Sequence, residues 1–191
     1  MLDLTKFKSF YNQIYKDYLK PEEMIYRISK SISPIAEDLH IAKIGISISI
    51  PSMFTNAMPF AKKGIFFERH FSDDSFITFT YTTTNDGNFT FTVYPEKKYI
   101  FSDSDKSDID FLCQTIFTLL DRSQLYTTLK RIAEHDPLTG AYNKDGFIKV
   151  GNILSEKKFL SKCSVLYLDL KNFSNINRKY GFKTALNSNF E

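Results

Sequence analysis

The sequence predicts an α/β (α+β) fold: an antiparallel sheet flanked by helices, a long exit helix, and then an incomplete α/β fragment. Three observations support this. Apolar residues recur at helical spacing before residue 36 and again after residue 105. Residues 41–95 contain alternating runs rich in β-branched and aromatic side chains. An apolar run at 165–168 precedes a final helical pattern, and the 42% hydrophobic content is enough for a packed core.

Two helices are predicted before the sheet. Residues 4–19 repeat apolar side chains every three or four positions. Pro21 suits the first turn of a second helix, whose apolar face runs from Met24 to Ile35. Pro34 is expected to kink this second helix or tighten its last turn, because proline lacks the N–H that a helix interior needs.

A β-meander is predicted next. Residues 41–50 alternate as a strand does, whereas residues 51–64, with two Pro and one Gly, are typical of a loop. Two Thr- and Phe-rich runs flank the residues 85–88, Asn-Asp-Gly-Asn, which is a strong hairpin signal. We expect the Thr side chains to face solvent or a pocket. One face of the hairpin is expected to pack inward, with Phe79, Tyr81, Phe89, Phe91 and Val93.

A long helix is predicted after the sheet, because no Gly or Pro occurs between Pro95 and Pro137. Asp105 or Ser107 is expected to cap its start, and its apolar periodicity continues to about Glu134. Part of that periodicity follows the alternating spacing of paired helices, so we expect a homodimer through helix 105–134. The residues of this predicted seam are Ile109, Leu112, Ile116 and Leu119.

Charge and cysteine content exclude several classes of function. The net charge is +3 without a run of five like charges, so no nucleic-acid partner is expected. No stretch of 18 apolar residues occurs, so no membrane span is predicted, and the N-terminus lacks a signal-peptide layout. A cytoplasmic location is therefore expected. Cys113 and Cys163 lie far apart in apolar runs, which favours two small buried side chains over a disulfide or metal site.

Two segments resemble the opening of a GGDEF domain, the domain of diguanylate cyclases. They are DPLTGAYNKDGF at 136–147 and VLYLDLKNFSNINRKYGF at 165–182. That family opens with a DxLTGLxNRR-like turn and then places an Asp at the end of a hydrophobic strand, before an FKxIND-like helix and a YGH. The resemblance implies synthesis of cyclic di-GMP from two GTP molecules across a dimer, with Mg²⁺ as cofactor.

Asp169 is the candidate metal ligand. From the residues alone it follows a buried strand at 165–168 and either binds a hard cation or caps the next helix. The resemblance implies that Asp169 and the carbonyl of Leu170 bind Mg²⁺. It also implies that the backbone around Asn172 and Phe173 faces the phosphates. In the same family pattern, Asn177 would hydrogen-bond guanine.

Departures from the family pattern predict that this chain has no catalytic residues and makes no cyclic di-GMP. Arg178 replaces the usual Asp after Asn177, and Leu186 replaces the second guanine contact. The GG[DE]EF signature does not occur before Glu191. A single carboxylate holds Mg²⁺ poorly, and each unpaired guanine edge costs about 1–3 kcal/mol. We therefore expect GTP to bind weakly or not at all, at vestigial contacts.

The order helix, helix, sheet, long helix resembles a GAF domain over residues 1–125. GAF domains share with PAS sensors an antiparallel sheet flanked by helices, and the approach from Phe101 to Leu125 is similar to the usual GAF ending. The resemblance implies a small-molecule ligand or a partner, whose identity the sequence does not specify. The predicted domains are therefore 1–125 (GAF-like), 126–135 (signalling helix) and 136–191 (truncated GGDEF-like).

These expectations combine into a bacterial signal-transduction module, in which a GAF-like sensor acts through a helix on a catalytically inactive GGDEF-type output. The turn at 136–147 is expected to transmit and not to catalyse. Residues 136–191 lack the rest of their sheet, so an exposed strand edge and an uncovered apolar face are expected. Two alternatives remain open: the N-terminal part of an active diguanylate cyclase, and a non-catalytic nucleotide-binding module.

Overall fold

The computed structural model confirms the mixed α+β fold class. It describes residues 2–15, 19–50, 60–69, 75–83, 86–137, 139–169, 171 and 173–180. The chain divides into two compact units, Met1–Ile148 and Lys149–Glu191. The first holds the sheet and the long helix. The predicted domain boundaries at 125 and 135 stay a prediction.

Three helices precede the sheet. Helix α1 spans Leu4–Ile14, and the Asp3 side chain caps it by accepting hydrogen bonds from the backbone N–H groups of Thr5 and Lys6. Helix α2 spans Pro21–Ser31 and α3 spans Ser33–Asp38. Pro34 lies in the first turn of α3, so it separates two helices where a kink or a tightened last turn in one helix was predicted. The prediction for residues 16–18 lies outside the described residues.

Four antiparallel strands form one sheet in the order β2-β1-β4-β3. The predicted β-meander is therefore wrong, because β1 pairs with β4 and places β2 and β3 at opposite edges of the sheet. They are β1 (Ile41–Ile50), β2 (Phe60–Glu68), β3 (Ile77–Thr82) and β4 (Asn88–Pro95). The predicted loop at 51–64 is wrong for its last five residues, which belong to β2. Pairing with β1 supplies their backbone partners, and this outweighs the local preference of a glycine. Residues 51–59 lie outside the described residues.

The predicted hairpin between β3 and β4 is confirmed, with the predicted faces. The Thr83 amide donates to the Gly87 carbonyl over 2.8 Å, and Asp86 takes a left-handed φ of 58°. The Thr side chains of β3 are exposed, as expected. On the inner face, Phe79 and Tyr81 are half-buried, and three β4 side chains are buried: Phe89, Phe91 and Val93.

The long helix α4 spans Asp103–Glu134, so its predicted end is confirmed and its predicted cap is wrong. Ser102 is the cap: its hydroxyl accepts from the Asp105 amide, and the Asp105 carboxylate accepts from the Ser102 amide over 2.9 Å. This reciprocal pair is a capping box, which moves the helix start two residues ahead of Asp105. Ser107 lies exposed inside the helix.

The predicted dimer seam on α4 is not available to a partner. Ile109, Leu112 and Ile116 are fully buried in the chain's own core, and Leu119 is 5% exposed. The apolar face of this part of α4 packs against the sheet and the other helices. Beyond Ser123 the pattern changes, and the large apolar side chains are 40–59% exposed: Leu125, Tyr126, Leu129 and Ile132.

Tyr81 links the edge strand β3 to α4. Its hydroxyl donates to the Asp110 carboxylate over 2.5 Å, and its ring stacks on Phe117 with centroids 5.2 Å apart. Burial, together with this hydrogen bond, raises the pKa of Tyr81 well above its usual range. Cys113 is buried close by, as predicted, whereas Cys163 is exposed, so that part of the cysteine prediction is wrong.

A charged cluster lies at the end of the sheet where β1 begins and where β2 and β4 finish. Arg69, after β2, pairs with Glu96, after β4, and also lies 3.7 Å from Glu37 of α3. Glu96 also contacts the His40 ring nitrogen Nδ1 over 3.2 Å. Burial alone would raise the pKa of Glu96, but the hydrogen bonds to His40 and Arg69 and the nearby charge of Arg69 lower it overall.

Across the described ranges, none of the helices combines the length and the apolar character that crossing a membrane would need.

Candidate functional site in the turn after the long helix

The long helix ends at a sharp backbone change beside a proline. His135 is its C-cap, with φ −129° and ψ 151°, and its amide still donates to the Arg131 carbonyl over 2.8 Å. Pro137 disfavours helical backbone at Asp136, the residue before it, because the proline ring would clash with that backbone. The predicted helix stop at this position is confirmed.

Asp136 organises the turn that follows. Its carboxylate accepts from both the amide and the hydroxyl of Thr139, each over 2.8 Å. Its own amide donates to the Ala141 carbonyl over 2.8 Å, and its carbonyl accepts from the Gly140 amide over 2.9 Å. Gly140 takes a φ of 71°, which glycine adopts without strain. The turn expected within residues 136–147 is confirmed at Thr139 and Gly140. Leu138 lies outside the described residues.

His135 and Tyr142 close the turn from either side. They form an antiparallel bridge, and their rings stack with centroids 4.4 Å apart. The His135 nitrogen Nδ1 lies 2.9 Å from the Gly140 carbonyl oxygen. Since a carbonyl oxygen only accepts, Nδ1 carries the proton in this arrangement. The histidine is therefore held as a structural donor and has no nucleophile beside it among its described contacts.

Asn143 connects the end of α4 to the start of helix α5, Lys144–Glu156. Its side-chain oxygen accepts from the Gly146 amide over 2.9 Å, which caps α5. Its side-chain nitrogen donates to the Ala133 carbonyl over 3.0 Å, and its backbone amide donates to the Glu134 carbonyl over 3.0 Å. One residue thus satisfies free groups at both helix ends.

Gly146 lets the two helix ends approach closely. A Cβ atom at this position would lie 2.0 Å from the Glu134 carbonyl oxygen and 2.8 Å from the Tyr142 ring. No side chain fits without moving α4 away from α5. The roles of Asn143 and Gly146 were not predicted from the sequence, although an Asn directly before the start of a helix is a readable capping signal.

The apolar run at 165–168 does not form the predicted buried strand. Val165, Leu166, Tyr167 and Leu168 are 87%, 80%, 88% and 79% exposed, and no strand is formed there. A strand needs a neighbour for its backbone groups, and within the described residues this run pairs with none. The uncovered apolar face expected for this region is confirmed, whereas the expected exposed strand edge is wrong, because the described residues form no strand here. A 3-10 turn at Leu160–Lys162 precedes the run.

The predicted substrate and metal residues follow this run. Asp169 is exposed, while Leu170 and Asn172 lie outside the described residues. Phe173 and Asn177 belong to helix α6, Phe173–Tyr180, but their side chains are outside what the structure describes. Asp169 alone does not fit a magnesium site, and in the described part of the chain no three His, Cys, Asp or Glu side chains cluster as metal ligands. Both the site residues and Mg²⁺ stay predictions.

Comparison with known proteins agrees with the position of these features. Residues 133–185 match the family model described as diguanylate cyclase, GGDEF domain. The match covers the turn, α5, Asp169 and α6, and supports a GGDEF fragment of a diguanylate-cyclase-type signalling module. It does not extend into the sheet, so the GAF-like interpretation of the first unit rests on the arrangement of its elements. Searches of the curated proteins and of the solved structures gave no match.

Proposed function

We propose that this chain is a regulatory signalling module, in which a GAF-like sensor acts through α4 on a GGDEF-type output that is itself inactive. The double attachment of Asn143 carries the proposal, because it joins the end of α4 to the start of α5 through three hydrogen bonds. A helix movement at α4 would therefore be passed to α5 with little loss. We place the module in the cytoplasm, where GTP is available.

The burial of α4 supports the input side of this mechanism. Its first half is part of the core, and Tyr81 attaches it to the edge strand β3. A ligand or partner that rearranged the sheet would have to move these packed contacts between discrete arrangements, because a close-packed core does not deform continuously. The helix then extends past Ser123 and carries that movement to the turn.

The output side is proposed to be inactive on chemical grounds. Asp169 is a single exposed carboxylate, and Mg²⁺ sites in proteins usually combine carboxylates with substrate phosphates. Arg178, which replaces an acidic family residue, is exposed, and its guanidinium lies 3.4 Å from the Asn175 side-chain oxygen. Incubating the 191-residue protein with GTP and Mg²⁺ should yield no cyclic dinucleotide by chromatography. Accumulation of cyclic di-GMP would contradict inactivity.

Transmission can be tested with a chimera in which residues 157–191 are replaced by the matching part of a complete, active GGDEF domain. Asn143→Ala removes the contacts to Ala133 and Gly146, and we expect the cyclase rate to fall at least about tenfold, because small misplacements of reacting groups are costly. The control is Asn152→Ala, an exposed position on the same helix. Equal rates for the two variants would contradict a coupling role.

A second copy of the chain is the proposed partner, at a different surface from the predicted seam. Leu125, Leu129 and Ile132 follow the spacing of paired helices and are 42%, 59% and 44% exposed. Leu129→Glu should shift the protein from dimer to monomer in sedimentation equilibrium. Lys130→Glu, one residue off this stripe, should leave the dimer intact. A wild-type protein that stays monomeric at high micromolar concentration would exclude the dimer.

A further inference from the structure

A groove of about 240 Å³ opens between helix α2 and strands β1 and β2. It lies within the first unit, and none of the features discussed above uses it. The residues that line it belong to three elements: Glu22, Ile25, Tyr26 and Ser29 of α2, Ile46 of β1, and Gly64, Ile65 and Phe66 of β2. Its size is just below the usual range of small-molecule pockets, so it would hold a compact ligand.

Two local features of β2 create the groove. Gly64 is the cross-strand partner of Ile46, which is buried, so both lie on the helix-covered face of the sheet. A Cβ built at Gly64 meets nothing within 4 Å, which shows that the missing side chain leaves open space there. The register then shifts: Ile65 pairs with Gly45 and Phe67 with Ile44, which leaves Phe66 as the extra residue of a β-bulge. Bulges redirect side chains and are frequent beside binding sites.

The interior of the groove is apolar, and its rim is polar with a negative charge. Ile25 and Ile46 are 7% and 4% exposed, and Phe66 is half-buried, so they form an apolar floor. At the rim, the Ser29 hydroxyl donates to the Tyr26 carbonyl over 2.7 Å, which leaves the hydroxyl oxygen free to accept. The acidic group of the rim is Glu22, and no ion pair joins it to a cation in the described ranges.

The Tyr26 ring adds a second attraction for positive charge. It is 63% exposed at the rim, and the Lys30 ammonium lies 5.5 Å from its centroid, so a ligand cation would have to displace this lysine from the ring. Once Lys30 has moved from the ring, the aromatic face and the Glu22 carboxylate together favour a cation over an anion. An apolar body of the ligand would fill the space that Gly64 leaves.

We propose that this groove binds a small organic cation, an amine with an aromatic or branched aliphatic body. The body would lie on Ile25, Ile46 and Phe66, and the ammonium group would lie between Glu22, Tyr26 and the Ser29 oxygen. This site does not depend on the GGDEF-type output, so its existence and the proposed signalling role can fail separately.

The test is an NMR titration of the 191-residue protein with three probes of similar shape: phenethylamine, 2-phenylethanol and 3-phenylpropanoate. We expect saturable shifts at the backbone amides of Ile25, Gly64 and Phe66 with phenethylamine. The neutral alcohol should bind at least about threefold more weakly, and the anion should give no saturable shift. Equal affinity for amine and alcohol, or shifts confined to other residues, would overturn the proposal.

Three variants separate the apolar and charged parts of the site. Gly64→Val fills the open space of the groove and should abolish the amide shifts caused by phenethylamine. The fold should stay intact, because a Cβ at position 64 meets no atom within 4 Å and valine favours strands. Glu22→Gln should reduce the affinity for phenethylamine to that for 2-phenylethanol. Glu23→Gln, which removes a neighbouring charge that does not line the groove, should leave the affinity unchanged. Unchanged binding in Gly64→Val, or equal losses in the two Gln variants, would contradict the assignment.

Discussion

Two segments rich in apolar side chains differ completely in their burial. In β4, Phe89, Phe91 and Val93 are at most 1% exposed, because β1 and β3 pair with the strand on both sides and helices cover one face. Residues 165–168 are at least 79% exposed. The comparison shows that apolar composition does not suffice to make a core strand. Paired neighbours and a covering layer decide the outcome.

The largest expected effect contrasts a leucine from each region. Leu112→Ala removes a fully buried side chain and should lower the free energy of unfolding of the first unit by about 2–5 kcal/mol, because it leaves a cavity. Leu168→Ala removes a side chain that is 79% exposed and should change it by less than about 0.5 kcal/mol. Urea denaturation, followed by circular dichroism, measures both. A large loss in Leu168→Ala would mean that the exposed run packs in solution.

The next effect concerns the turn between the two regions. Gly146→Ala forces a methyl group against the Glu134 carbonyl and should destabilise the turn by about 1–3 kcal/mol, seen as faster hydrogen exchange of the Asn143 amide. Gly151→Ala, in the same helix, meets nothing within 4 Å. It should stabilise α5 by about 0.5–1 kcal/mol through helix propensity. If both alanine variants behave alike, the close approach of α4 and α5 is not present in solution.

A smaller effect tests the start of α4. Ser102→Ala removes the capping hydroxyl and should cost about 1 kcal/mol in the free energy of unfolding. Ser107→Ala, at the position that the sequence suggested as a cap, should be neutral or slightly stabilising, since alanine is the better helix former. Thermal denaturation of the two variants compares them. If Ser107→Ala destabilised the protein more than Ser102→Ala, Ser107 would be the cap, as the sequence suggested.

The smallest effect is a pH dependence. Because the pKa of Glu96 is lowered below its ordinary value of 4.5, its carboxylate adds stability above about pH 4.5, and this is lost as the pH falls through the lowered value. Glu96→Gln should therefore cost about 0.5–1 kcal/mol at about pH 7 and progressively less below about pH 4.5. For Glu68→Gln, at an exposed position, the difference in stability from the wild type should not change over this pH range. A Glu96→Gln deficit that stays constant from neutral pH down to about pH 3 would contradict the ion-pair assignment.

Most of the first unit could be predicted from the sequence because its signals are local and agree with one another. The alternation of β1, the hairpin residues around Asp86 and the helix stop before Pro137 each specify one backbone geometry. The start of β2 and the cap of α4 were missed for a physical reason. In β2, pairing with β1 outweighs the low strand preference of glycine. At the start of α4, Asp105 is itself a residue type that caps helices, so the sequence pattern did not single out Ser102.

The candidate site was predictable as a family motif but not as a geometry. The motif located the turn, yet the joint role of Asn143 depends on Ala133 and Gly146 coming together, which no local pattern states. The prediction of the dimer seam was wrong because helical spacing does not distinguish a face buried within one chain from a face that meets a second chain. For Asp169, the residue type could be read from the sequence, whereas a metal site also requires neighbours from other strands.

Hydrogen exchange measured by mass spectrometry tests the central contrast most directly. On the 191-residue protein, peptides covering β4 and residues 109–120 should remain protected for hours. The start of α5 should also be protected, because the turn supplies hydrogen bonds to its amides. Peptides covering residues 164–169 should exchange within seconds, at the rate of an unpaired chain. Protection of residues 164–169 comparable to that of β4 would contradict the account, because it would show that the apolar run has a partner strand in solution.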